Sequence, residues 1–118
     1  TNLPYLAAVL TSIGVYFTDN EGLVKAKLYC QRALEIYTVL ARKNPNAYNL
    51  DVCMSSVNMV RYFYKKVQIE GYNTDVINSA LGILRNTEKI LQNYTENYRA
   101  QEYIYKVNAL KYQFTEML

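Results

Sequence analysis

The chain has 118 residues, of which 51% are hydrophobic and 19% charged, and its formal net charge is +3. These values predict one folded domain with a single core and exclude a disordered, highly charged tail. The sequence contains no histidine, so the commonest general base and metal ligand is missing. Its cations are spread along the chain, with Arg42-Lys43 and Lys65-Lys66 as the adjacent pairs, unlike the clustered basic stripe of a dedicated nucleic-acid binder.

The apolar runs are only a few residues long, far short of the roughly 20 residues that cross a bilayer. We therefore expect a soluble domain without a membrane partner, and we favour the cytoplasm as its compartment. The chain begins at Thr1 rather than at methionine, which indicates either a processed chain or, as we expect, part of a longer protein. Cys30 and Cys53 fall on or beside apolar helix faces, which favours two buried free thiols over a disulfide or a reactive pair.

The first half of the sequence predicts two amphipathic helices. Asn2-Leu3-Pro4 can cap a helix from about Leu3 to Thr18, and residues 19–22 have the composition of a turn. A second helix then runs to about Lys43, and residues 44–46 stop it because proline disfavours helix in the residue before it. The apolar positions recur at steps of three and four: Leu6, Leu10, Ile13 and Phe17 on the first helix, and Ala26, Cys30, Ala33, Tyr37 and Leu40 on the second.

The second half repeats this pattern. A third helix begins at about 47–51, and its apolar positions stand 46 residues after those of the first. The next turn region, 65–75, is enlarged by eight residues, so either the third helix extends or a loop protrudes before Asn73 or Thr74 caps the fourth helix. After a break at 95–97, a fifth helix has the most regular stripe, which comprises Ala100, Tyr103, Val107, Leu110, Phe114 and Met117.

Gly14 followed by Phe17, and Ala26 followed by Ala33, resemble the tetratricopeptide repeat, in which two helices form a hairpin and successive hairpins stack. The segment before Asn44-Pro45 is similar to the longer-repeat subtype found in kinesin light chains and bacterial members. The resemblance implies an all-α solenoid of about five helices in one domain: unit one over 3–45, unit two over 46–95 and a terminal helix over 97–117. Unit two fits less well, because Val60 replaces the small residue equivalent to Gly14.

The resemblance also implies that the first helix of each unit lines a concave groove that binds a partner protein or peptide. Its groove positions fall on the first, third and fifth helices: Ala8, Thr11, Val15 and Thr18; Met54, Val57, Arg61, Tyr64 and Lys65; and Gln101, Ile104, Asn108, Lys111 and Tyr112. Such a groove is apolar and basic, and suits a segment with acidic and aromatic groups. Arg61 can bind a carboxylate through two hydrogen bonds, and Tyr64 and Tyr112 can pack against the partner. The alternative interpretation is that these are ordinary solvated side chains.

Other functions have less support in the sequence. No pair of carboxylates is brought together by spacing and no nucleophile stands beside a base, so we do not expect an enzyme, a cofactor or a bound metal. The tyrosines and cations of the fifth helix could form a nucleic-acid platform, but aromatic residues at helical spacing are needed for packing. A second hypothesis is a structural module that self-associates or pairs with the rest of a longer protein, because the apolar stripe of the fifth helix has no evident partner.

Overall fold

The structure is a computed structural model that describes residues 2–118, and those residues form an all-helical protein without a β-strand. The five α-helices are α1 Leu3–Asp19, α2 Leu23–Lys43, α3 Pro45–Glu70, α4 Thr74–Leu91 and α5 Tyr98–Glu116. A short 3-10 helix over Gln92–Tyr94 follows α4. The predicted fold class and helix count are therefore confirmed, and the predicted ends of the first two helices are right to within one residue.

The helices are arranged as consecutive hairpins in two layers. Each helix packs on the next helix along the chain, and α3 also contacts α1 and α5. Because the chain reverses direction at every turn, α1, α3 and α5 run the same way and lie side by side in one layer, while α2 and α4 pack behind them. This arrangement is consistent with stacked helix-hairpin repeats.

Asparagine caps four of the five helices. The side chains of Asn2, Asn44, Asn73 and Asn97 each accept a hydrogen bond from a backbone N–H in the first turn of the following helix. At Asn44 the predicted boundary is wrong in detail. We expected residues 44–46 to separate the two helices, but α3 begins directly at Pro45, since proline is well tolerated in the first helical turn and Asn44 supplies the cap.

The enlarged second turn is mostly helix. α3 extends to Glu70 and ends at Gly71. The φ of Gly71 is +96°, a backbone conformation that residues other than glycine rarely adopt. Only 71–73 lie between α3 and α4. Of the two outcomes that the sequence left open, the structure therefore shows the extended helix.

The buried face of α1 differs from the predicted stripe. Its buried residues are Ala7, Leu10, Gly14 and Thr18, whereas Leu6 is 39% exposed and Ile13 and Phe17 are half-buried. The physical reason is the close approach of α1 to α2. A Cβ built on Gly14 would lie 2.6 Å from the Sγ of Cys30 and 2.9 Å from its backbone nitrogen, so small side chains must face α2.

The main core lies between α3, α4 and α5. It includes Cys53, Val60, Ile77, Leu84 and Phe114, all of which are fully buried. The stripe of α5 belongs to this core, with Met117 packed at its edge. The apolar seam that motivated the self-association hypothesis is therefore covered by α3 and α4. Burying each large side chain of this kind contributes about 1.5–3 kcal/mol.

We predict that Gly14→Ala destabilises the protein by about 1–3 kcal/mol, because the added methyl group must push the backbones of α1 and α2 apart. Gly82→Ala is the matched control. A Cβ at Gly82, inside α4, meets no atom within 4 Å, so this change should stabilise the protein by about 1 kcal/mol through helix propensity. Urea unfolding followed by circular dichroism measures both. Equal effects of the two changes would contradict the close approach at Gly14.

Candidate functional site

The site with the clearest geometry is a groove between α3 and α5, on the layer formed by α1, α3 and α5. It consists of two adjoining depressions of about 280 and 360 Å³ that share Arg61, Leu110 and Gln113. Thr18 of α1 lines the second depression. We call this combined surface the α3/α5 groove.

The α3/α5 groove has an apolar floor and a polar, cationic wall. Val57 and Leu110 are buried below it. The other lining residues are Asn58, Arg61, Tyr64, Lys65 and Gln68 from α3, Tyr105, Lys106, Ala109 and Gln113 from α5, and Thr18 from α1. The lining thus contains three cations and three amides but no carboxylate. A surface of this composition favours an acidic ligand over a basic one.

Arg61 lies at the centre of the α3/α5 groove and is held by the end of α1. Its Nη2 donates a hydrogen bond of 3.0 Å to Oδ1 of Asp19, the last residue of α1. Both side chains are close to half exposed, so solvent screens the pair and its contribution to stability is small. The ion pair therefore leaves Arg61 accessible to solvent at the groove.

A second ion pair joins α3 to α5 near the first turns of both helices. Nη2 of Arg99 donates to Oδ1 of Asp51 at 2.6 Å, and its Nε donates to the Tyr103 hydroxyl at 2.7 Å. Burial acts to lower the pKa of Arg99, but the hydrogen bonds to Asp51 and Tyr103 outweigh it and raise that pKa above its ordinary value. Burial raises the pKa of Tyr37 of α2, and the nearby Asp51 carboxylate raises it further. This cluster links the two helix layers.

The structure brings together four of the five predicted site residues of α3 and separates most of those of the other helices. Val57, Arg61, Tyr64 and Lys65 line the α3/α5 groove, although Val57 is buried in its floor. The half-buried Met54 lies instead at the second ion pair, where its sulfur is 3.8 Å from Nη2 of Arg99.

Of the predicted residues of α1, Thr18 lines the α3/α5 groove, whereas Thr11 and Val15 do not. Thr11 lies beside the Tyr37 hydroxyl and donates its own hydrogen bond to the carbonyl of Ala7, and Val15 is half-buried. Their part in a binding surface stays a prediction.

The predicted residues of α5 lie mostly on its other flank. Ile104 and Asn108 line a separate depression of about 220 Å³ together with Leu91 of α4. Lys111 forms an ion pair of 3.2 Å with Glu88, also of α4. Tyr112 is exposed and is not part of either depression of the α3/α5 groove.

The residues of α5 that do line the groove were missed by the sequence. Tyr105, Lys106 and Gln113 occupy the flank next to the predicted one. The buried stripe of α5 has two polar flanks, and only the contact of α5 with α3 decides which flank borders the groove. The sequence does show that Lys106 follows Glu102 by one helical turn, and the two side chains form an ion pair of 3.2 Å. This spacing indicates a polar flank of α5, but it does not identify the helix that the flank faces.

Both cysteines are free and buried, as expected. Burial raises the pKa of the Cys53 thiol to about 12, and it raises the pKa of Cys30 as well. Within 2–118 no group of three acidic or cysteine side chains could hold a metal ion. Nor does any helix in this range have the length and apolar character to span a bilayer.

Comparisons with known proteins add no relative: no family model, no curated protein and no solved structure matches the chain. The structure by itself defines the class: an all-helical protein of consecutive hairpins with a cationic groove between α3 and α5.

We predict that the free energy of unfolding falls as pH rises above about 8.5, where an unfolded thiol ionises. The folded state keeps Cys53 protonated to about pH 12, and burial also raises the pKa values of Cys30, Tyr37 and Tyr62. The contribution of each of these groups to the free energy of unfolding is fully present below the pKa that the group has in the unfolded chain. Above that pKa the contribution falls by up to about 1.4 kcal/mol per pH unit for each group. Urea unfolding at pH 7 to 10 measures this, with Cys53→Ala as the variant that should lose part of the dependence. A stability that is constant or rises over this range would contradict the prediction.

Proposed function

We propose that the protein is a tetratricopeptide-like interaction scaffold that binds an acidic segment of a partner protein in the α3/α5 groove. The observation that carries the proposal is the composition of the groove lining, which has three cations, no carboxylate and an apolar floor. Binding of this kind combines burial of apolar side chains with charge complementarity, which increases both association rate and specificity.

The proposed family rests on three features of the fold. The helices form consecutive hairpins, the first helix of each hairpin lies in one layer, and Gly14 brings α1 and α2 into close contact, as a small residue does in that repeat. In the second hairpin, the larger Val60 stands at the position equivalent to Gly14 and is fully buried. The interface between α3 and α4 is smaller than the one between α1 and α2.

The size of the groove suits a short segment. The lining residues of α3 extend from Val57 to Gln68, which at 1.5 Å per residue is about 16 Å. That length accommodates roughly five residues of an extended peptide or three turns of a helix. Tyr64 and Tyr105 lie along it as aromatic surfaces against which an apolar side chain of the partner can pack.

The lining also favours binding without turnover. It contains no carboxylate, histidine or cysteine, so no residue of the groove is suited to act as a general base near neutral pH. We therefore propose a binding role rather than an enzymatic one.

We predict that Arg61→Glu lowers affinity for an acidic partner at least about tenfold, because it removes a charge-assisted hydrogen bond and adds repulsion. Its melting temperature should change little, because the Arg61 ion pair is exposed. Fluorescence anisotropy with labelled short peptides that combine glutamate, leucine and tyrosine measures affinity, and circular dichroism measures melting.

Arg85→Glu is the matched control for this prediction. Arg85 is exposed on α4, away from the groove lining, and the change alters the net charge by the same amount. An equal loss of affinity in Arg85→Glu would show that only the overall charge matters. A large loss of stability in Arg61→Glu would show that Arg61 is structural instead.

A second candidate function is self-association through the outward face of α1. This face exposes Tyr5, Leu6, Val9 and Tyr16, and α1 carries no charge before Asp19. An uncharged face can pack against the same face of a second copy without unpaired charges, as a two-fold interface requires. This surface, rather than α5, supports the hypothesis of a structural module.

If α1 forms this interface, wild-type protein should sediment as a dimer at high concentration, and Val9→Glu should sediment as a monomer with an unchanged helical spectrum. A charge in the middle of an apolar interface would be desolvated without a partner. Sedimentation equilibrium measures the mass. A wild-type monomer over the whole concentration range would refute self-association.

A further inference from the structure

Asp19 lies beside the α3/α5 groove and is bound to its central cation, Arg61. It stands at the end of α1, while Arg61 projects from α3 into both depressions of the groove. The 3.0 Å contact joins a single oxygen to a single nitrogen, so it is less complete than the bidentate pairs that arginine forms with carboxylates.

The position of Asp19 is not one that favours helix stability. A negative charge in the last turn of a helix is repelled by the partial negative charge of the unpaired carbonyl groups there. Nor does the pair with Arg61 contribute much, because both side chains are close to half exposed. The carboxylate therefore has a weak structural role but a well-defined place at the groove.

We propose that Asp19 is an intramolecular competitor that occupies Arg61 until a carboxylate of the partner replaces it. This inference rests on the proposed function, since it concerns how the same groove binds an acidic segment. A glutamate or aspartate of the partner binds Arg61 only after the Asp19 contact has been broken. The competing pair lowers affinity for every ligand that uses Arg61 and leaves unchanged any ligand that does not.

The neighbouring cation supports this assignment. Lys65 lies one helical turn beyond Arg61 and lines the same depression, and the part of the chain that the structure describes places no carboxylate within ion-pair distance of it. Of the three cations in the lining, Lys106 is paired with Glu102 of its own helix and Arg61 with Asp19 of α1, so Lys65 is the one that meets a partner segment without a carboxylate of its own. In this proposal Lys65 provides the initial electrostatic attraction, and Arg61 provides the specificity for a carboxylate.

The test compares the affinities of wild-type protein and Asp19→Asn for labelled short peptides of glutamate, leucine and tyrosine. A second set of peptides has glutamine in place of every glutamate. Removing the competitor should tighten binding of the glutamate peptides about two- to fivefold, the range expected for an exposed ion pair. The glutamine peptides should bind both proteins equally. In an Arg61→Gln background, Asp19→Asn should have no effect, and Asp19→Ala should reproduce Asp19→Asn.

Glu21→Gln is the matched control. Glu21 lies two residues after Asp19, is exposed, and the change raises the net charge by the same amount. A gain in Glu21→Gln equal to that in Asp19→Asn would overturn the inference, because the cause would be the general field of the groove.

Failures of the two proposals can be distinguished. If Arg61→Glu weakens binding of the glutamate peptides but Asp19→Asn leaves it unchanged, Asp19 is not a competitor and the groove function stands. A different outcome is that glutamate and glutamine peptides bind equally well, both to wild-type protein and to Asp19→Asn. The proposed acidic ligand is then wrong, and the competitor role is refuted with it.

Discussion

The structure depends on the packing of α3 against all four other helices. None of the five helices can bury its apolar face alone, and α3 provides the common surface on which α2, α4 and α5 bury theirs and which α1 contacts. Most of the circumference of α3 is therefore used in the core, including Cys53, Val57 and Val60. In the second half of α3, Arg61 and Lys65 stay partly accessible, and they line the groove together with residues of α5 and Thr18 of α1.

Two ion pairs tie α3 to its neighbours in the first layer, and they differ in environment. Asp51 and Arg99 are joined by a short contact that also includes the buried Tyr103, and the Asp51 side chain is only 19% exposed. Asp19 and Arg61 are joined at the open side of the groove, where water competes with the contact. The same combination of residue types thus has a mostly buried carboxylate at one end of the layer and a half-exposed carboxylate at the other.

Much of the fold could be predicted from the sequence because helix periodicity and helix ends are local properties. The stripe of α5 and the ends of α1 and α2 were predicted on that basis. The details that failed depend on neighbours: Leu6 is exposed because the close approach at Gly14 turns a different face of α1 towards α2. For the groove, Arg61, Tyr64 and Lys65 of α3 were predicted from the repeat resemblance, whereas Tyr105 and Lys106 were missed because either flank of α5 satisfied the same pattern.

The sequence by itself determined five helices, their order and the buried stripe of α5, since hydrophobic spacing, asparagine caps and prolines act within a few residues along the chain. Only the tertiary structure decided which flank of each helix meets which neighbour. Ile104 and Asn108 therefore face α4, and Arg61 meets Asp19 across 42 residues of chain. The rotation of a helix about its axis is set by the shapes packed against it, and a periodic pattern does not contain that information.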